Sequence, residues 1–129
     1  MKTVDSCHLI GAALDWAVAM AEGLEPVIVF DCDDKAGVDV RYPYGGYQIP
    51  CPRFSTHGGC YFHIIEREKI SVIYNEEDDG YSEFYYWSAS INGLEYGVTG
   101  PTALIATTRC YVCWKLGATI EIPDELVNE

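Results

Sequence analysis

Apolar residues in this chain fall into two helical stripes and several alternating runs, and these set the expected elements. Leu9, Ile10, Ala13, Leu14, Ala17, Val18 and Ala21 recur at helical spacing, which predicts an amphipathic helix over 9–22. Ser6 stands where a cap belongs and Gly23 where a helix stops. Asp15, Ala19 and Glu22 mark the wetter side of that helix, with Trp16 at its flank. A second stripe of Leu104, Ile105, Thr108, Val112 and Leu116 predicts a helix within 100–117. Thr99 is its expected cap, and Pro101 suits a first turn because its missing N–H had no partner to lose. Lys115 complements the negative end of the dipole, and Gly117 can take the positive φ that ends a helix. The fold is expected to organise around this second helix.

Strands are expected at 27–30 and 38–42, the second strictly alternating, joined through the turn 31–37 as a hairpin. A helical turn at 64–68 leads into a strand at 70–74, an acidic connection at 75–80 and a strand at 81–91. On that last strand Tyr85, Trp87, Ala89 and Ile91 share one face. Asn92-Gly93 tolerates positive φ and predicts a hairpin turn into a strand at 94–98. A short edge strand at 120–123 ends at its proline. Between 43 and 59 the pattern disappears, since Pro43, Gly45, Gly46, Pro50, Pro52, Gly58 and Gly59 interrupt both periodicities. Tyr42, Tyr44, Tyr47, Ile49 and Phe54 nevertheless cluster there. A loop of this length in a small domain is usually a binding loop or a packed lid, so contact with a partner is expected here. The expected fold class is α+β: one domain over 1–129, two helices packed on a small, mostly antiparallel sheet, with a long irregular aromatic-rich loop.

Composition narrows the function classes. The 129 residues carry a formal net charge of −12, from eight Lys and Arg against twenty Asp and Glu. Direct binding to nucleic acid is not expected, because it needs phosphate neutralisation. The acidity fits a soluble protein, a partner with a basic surface, or cation binding. The N-terminus lacks an apolar signal-peptide core, and the longest apolar run, within 11–21, contains Asp15 and is too short for a bilayer. A cytoplasmic location without membrane association is therefore expected. The six cysteines read as reduced, small, buried hydrophobes.

The loop holds the residue types that could carry chemistry. His57-x-x-Cys60-x-x-His63 with Cys51 nearby has ligand types that can bind zinc, though a closed site usually shows two clear ligand pairs. Cys60 beside His57 or His63 could be a nucleophile with a base, but no orienting third group is apparent. A calcium loop over 31–42 fails, because Ala36 and Tyr42 occupy the positions that need Gly and Glu. No catalytic residue and no cofactor is assigned. Arg67, charged among Ile64, Ile65 and Ile70, is expected to recognise an anion, helped by Arg53, Arg41 or Arg109. Tyr42, Tyr44, Phe54 or Trp87 could stack a flat ring beside it, and Ser55, Thr56 and His57 complete the expected ligand-binding set.

Three blocks also resemble a known family. Gly11-Ala12-Ala13-Leu14-Asp15-Trp16-Ala17-Val18-Ala19 with Ala21-Glu22-Gly23 is the first, and Ile64-Ile65-Glu66-Arg67-Glu68 before Ile70 the second. The third is Gly100-Pro101-Thr102, Leu104-Ile105-Ala106, Arg109-Cys110-Tyr111-Val112 and Lys115-Leu116-Gly117. Together they resemble the phage NinX-like family of unknown function, and Ser55-Thr56 and Gly58-Gly59 fit loosely two stretches that the family carries before the second block. The resemblance implies a small accessory protein of tailed phages or prophages, working in the bacterial cytoplasm.

The leading expectation is thus a non-enzymatic phage protein that sequesters a small anionic ligand, such as a nucleotide-type host immune signal, between the 42–68 loop and the sheet. The alternative is an acidic inhibitor of a host nuclease or nucleic-acid-binding protein; a zinc-binding or enzymatic domain is third. Exposed aromatics predict a homo-oligomer.

Overall fold

A computed structural model describes residues 1–42, 46–60, 62–78, 80–81, 83–91 and 97–127, the side chains of Cys60 and Phe84 excepted. The expected turn at Asn92-Gly93 and most of the strand at 94–98 lie outside the described residues. The helices are α1 (Gly11–Ala21), α2 (Phe62–Glu68), α3 (Ala103–Leu116) and α4 (Asp124–Val127). The strands are β1 (Lys2–Asp5), β2 (Glu25–Phe30), β3 (Ala36–Arg41), β4 (Gln48–Pro50), β5 (Ser71–Asp78), β6 (Glu83–Ser90), β7 (Val98–Gly100) and β8 (Thr119–Ile122). The class is α+β. The strands form three small antiparallel sheets, β1-β8, β2-β3-β4 and β5-β6-β7, where a single sheet was expected.

Helix α3 is the hub. It packs on α1, on β6 and β7, and on the turn of 3₁₀ helix at Ser6–His8. Its face of Ala106, Thr107, Thr108, Cys110, Tyr111 and Val112 is buried. The buried hydroxyls of Thr107 and Thr108 bond back to the carbonyls of Ala103 and Leu104 at 2.6 and 2.7 Å, so neither is left unpaired. The cap is Thr102, whose Oγ1 accepts from the Ile105 amide at 3.1 Å; the expected cap, Thr99, lies instead in β7. The helix starts later because Gly100 must pass flat against it. A Cβ on Gly100 would stand 2.6 Å from the Ala106 nitrogen. At the other end Gly117 adopts φ 104° and closes the helix, as its position predicts.

Ser6 does not cap α1. Its hydroxyl donates to the Gly117 carbonyl at 2.7 Å and its amide to that of Ala118 at 2.8 Å, which satisfies carbonyls at the end of α3 and aligns β1 with β8. Residues 9 and 10 stay extended and α1 begins at Gly11. It is also buried on more sides than its stripe predicts. Ala19, placed on the wetter side, is fully buried with Leu14, Ala17 and Val18, because α1 touches α3, β2, β3, β8 and α4 together.

The 31–35 turn is built by Asp31, whose Oδ1 accepts from the amides of Asp33 and Lys35 at 2.8 and 2.9 Å. The segment expected to be irregular contributes a third strand, β4, paired through Val40 and Ile49. Residues 75–78, expected as a connection, extend β5 instead. There Tyr74 stacks on Tyr85 with ring centroids 6.2 Å apart, and Tyr86 donates to Glu77 at 2.6 Å. Such cross-strand pairs stabilise a ribbon that charge composition alone argues against.

Candidate functional site

Two clefts flank the loop at 51–57, one on each side of its Phe54–Ser55 pair. The loop is held by a tight turn in which the amides of Thr56 and His57 donate to the Arg53 carbonyl at 3.1 and 2.8 Å. Phe54 anchors it in the core at 4% exposure. The Ser55 amide donates to Asp15 Oδ1 of α1 at 2.9 Å. The Cys51 thiol approaches the carbonyls of Asp15 and Pro52 at 3.7 and 3.4 Å.

The first cleft, of about 340 Å³, lies between Ser55 and Thr56 on one side and Thr102, Ala103, Leu104 and Ile105 on the other. Its floor is the N-terminus of α3. There Ile105 and Ala106 donate to Thr102, while Ala103 and Leu104 are at positions whose amides have no intrahelical acceptor. No acidic residue occupies the first turn, so the positive end of the helix dipole is uncompensated by a side chain of that turn. Against it stands Ser55, 2% exposed, whose Oγ has no hydrogen-bond partner among the described residues. Burying a hydroxyl in that state costs about 1–3 kcal/mol. A bound acceptor would recover that loss.

The second cleft, of about 360 Å³, is lined by Glu22, Leu24, Tyr42, Pro52, Phe54, Gly59 and His63. Its chemistry is set by Glu22, the residue that closes α1. Glu22 Oε2 receives Arg67 Nη2 at 2.6 Å and the Tyr111 hydroxyl at 2.6 Å. Its Oε1 is 3.3 Å from Arg67 Nη1 and 3.4 Å from His63 Nε2. Burial opposes ionisation of this carboxyl, but the hydrogen bonds from Arg67, Tyr111 and His63 prevail and hold it below the usual carboxylate range. Arg67 also donates from Nε to Glu68 at 2.8 Å and lies over the Tyr111 ring. The guanidinium expected to receive an anion is thus already between two carboxylates.

The other expected residues are dispersed. Tyr42, Phe54 and His63 line the second cleft, and Ser55 and Thr56 the first. Arg53 and His57 are exposed on the loop. Trp87 belongs to the β5–β6 ribbon, tilted against Tyr74 at 5.1 Å. Arg109 donates to the carbonyls of Leu9 and Thr99 at 2.7 and 3.0 Å and ties α3 to its neighbours; burial lowers its pKa. Arg41 bonds Gln48 and faces Glu25. Tyr44 and the Cys60 side chain lie outside the described residues. Among the described residues no group of three His, Cys, Asp or Glu side chains is placed to hold a metal. Sequence reasoning missed Glu22 as a cleft residue and Thr102–Leu104 as a cleft wall. A helix cap followed by a first turn free of acids was the one available signal for the latter.

No curated protein matches the chain. Among the described residues no helix is long and apolar enough to cross a membrane. The family model described as Bacteriophage P22, NinX matches residues 5–115, a span that includes α1, α2, all of α3 but its last residue, and every residue lining both clefts, and the chain belongs to that family.

Proposed function

We propose that this phage accessory protein binds a small anionic ligand, with a phosphate or carboxylate group seated on the N-terminus of α3. What carries the reading is the buried Ser55 hydroxyl, without a partner among the described residues, beside a helix terminus whose first turn carries no acid. The Ala103 and Leu104 amides and the Thr56 hydroxyl supply donors, the Ser55 hydroxyl adds one when its side chain turns toward the cleft, and the helix dipole supplies the field. The remaining wall, Ile105 and Leu104, is apolar and suits the non-ionic part of such a molecule. Action is by affinity alone, as sequestration of a host nucleotide-type signal would require.

Titration of labelled protein with inorganic phosphate, followed by amide NMR, tests this. Saturable shifts are expected at residues 103 and 104, and Ser55→Ala should weaken binding about tenfold or more, as loss of a hydrogen bond to a charged group implies. Shifts reproduced by chloride at equal ionic strength would overturn the reading.

The second reading, an acidic inhibitor of a basic host protein, is favoured by the β5–β6 ribbon. No Lys or Arg occurs between Lys69 and Arg109, while Glu76, Glu77, Asp78 and Glu83 crowd its outer half. Binding of that kind should weaken steeply with salt.

A further inference from the structure

We infer that the cleft at the end of α1 is a second ligand site, opposite in polarity to the first, which takes a flat ring bearing N–H donors or a positive charge. The inference does not depend on the anion site, because the two clefts share no lining residue.

Shape comes first. Tyr42 at the end of β3 is partly exposed, Phe54 is anchored in the core, and Leu24 and Pro52 add apolar wall. About 360 Å³ between them admits one or two fused rings, and aromatic walls favour stacking.

Polarity then selects the ligand. The two oxygens of Glu22 are unequal. Oε2 is satisfied by two contacts of 2.6 Å, from Arg67 Nη2 and the Tyr111 hydroxyl. Among the described residues Oε1 has only the long approaches of Arg67 Nη1 at 3.3 Å and His63 Nε2 at 3.4 Å, beyond the usual range for N–H···O bonds. His63, which also lines the cleft, approaches this weakly engaged oxygen. Oε1 can accept a stronger bond from an incoming donor. Glu22 follows the last turn of α1, where the dipole is negative. Glu22 and Glu68 together outweigh the Arg67 guanidinium that they share, so this pair of carboxylates favours a cation over a phosphate.

Benzamidine and benzoate, which share a flat shape and differ in charge, test this by amide NMR. Benzamidine is expected to give saturable shifts at residues 24, 42 and 63 that inorganic phosphate does not reverse, and benzoate none. Tyr42→Ala, a partly exposed site, should weaken benzamidine about threefold to tenfold while the spectrum stays folded. Equal or tighter binding of benzoate would overturn the inference. So would benzamidine shifts spread over the acidic surface and indifferent to Tyr42→Ala. Displacement of benzamidine by phosphate would show one site where two are inferred. Loss of phosphate binding at residues 103 and 104 bears only on the anion site.

Discussion

The Tyr111 hydroxyl donates to Glu22 Oε2 at 2.6 Å, joining the middle of α3 to the residue that closes α1. Tyr111 is 1% exposed and Glu22 is drawn from water with it. The same hydroxyl receives Arg67 Nη2 at 3.1 Å, so one buried phenolic oxygen organises the carboxylate that closes α1 and a guanidinium from α2. Tyr111→Phe keeps the ring and leaves the carboxylate one donor short. Removing a hydrogen bond to a charged, partly buried group should lower stability by about 1.5–3 kcal/mol, read from the urea midpoint at unchanged slope.

The same cluster fixes how stability follows pH. The Glu22 carboxyl ionises more readily in the fold than in the unfolded chain. Its contribution is therefore complete above about pH 4.3, the ordinary glutamate value, and is lost as pH falls through the lower folded value. Tyr111 shifts the other way, pushed up by burial and by Glu22. Its contribution is complete below about pH 10 and is lost above it, where the unfolded phenol ionises first. Thermal melts from pH 3 to 11 should fall at both ends. In Glu22→Gln the acid slope should flatten, so that the gap from wild type narrows toward pH 3.

Gly100 makes a sharper structural prediction. The position lies in β7 against the first turns of α3, and an added Cβ meets backbone at 2.6 and 3.0 Å, the Ala106 nitrogen and Cα. Backbone in a capped helix cannot swing aside as a side chain can. Gly100→Ala should cost at least the roughly 1–3 kcal/mol typical of overpacking, seen as a drop of several degrees in Tm. Gly58→Ala, with open space around it, is the control.

Local signals in the sequence account for most of what was legible. The stripe from Ile105 to Val112 needed no partner to be read as a helix, and Asp31 and its neighbours sufficed for the first hairpin turn. Strand β1 was not legible, because Lys2-Thr3-Val4-Asp5 has little periodicity and becomes a strand only by pairing with Ile120 and Ile122. Thr99 read as the cap because no local signal shows that Gly100 must lie flat against Ala106, a contact between elements that moves the cap to Thr102. The site divides the same way. Ser55 and Thr56 could be picked out on the loop, but the helix terminus opposite them is 47 residues along the chain from Ser55 to Thr102. Arg67 could be picked out as a charge among apolar neighbours; Glu22, which neutralises it, had been assigned to a solvated face.

Thiol labelling separates the cysteines by environment. Cys110 is fully buried and burial pushes its pKa up to about 12, so almost no thiolate exists at pH 8. Cys7 and Cys32 are exposed. A maleimide at pH 8, followed by peptide mapping, should modify Cys7 and Cys32 within minutes and Cys110 only at the rate of unfolding. Fast labelling of Cys110 would show that α3 is not held in the core as described.

Ser55 should reverse the usual relation between a buried polar residue and stability. Its Oγ makes no hydrogen bond among the described residues, whereas its amide bond to Asp15 belongs to the backbone and survives substitution. Ser55→Ala removes an unpaired hydroxyl from a site that is 2% exposed and adds no atom. Stability without ligand should therefore hold or rise by up to about 1 kcal/mol, although most substitutions at buried positions destabilise. With saturating phosphate the order should invert, because wild type gains the linkage term that the variant has lost. Paired urea melts with and without phosphate read both effects. A Ser55→Ala protein that is less stable without phosphate would mean that the hydroxyl already has a structural partner and is not held in reserve for a ligand.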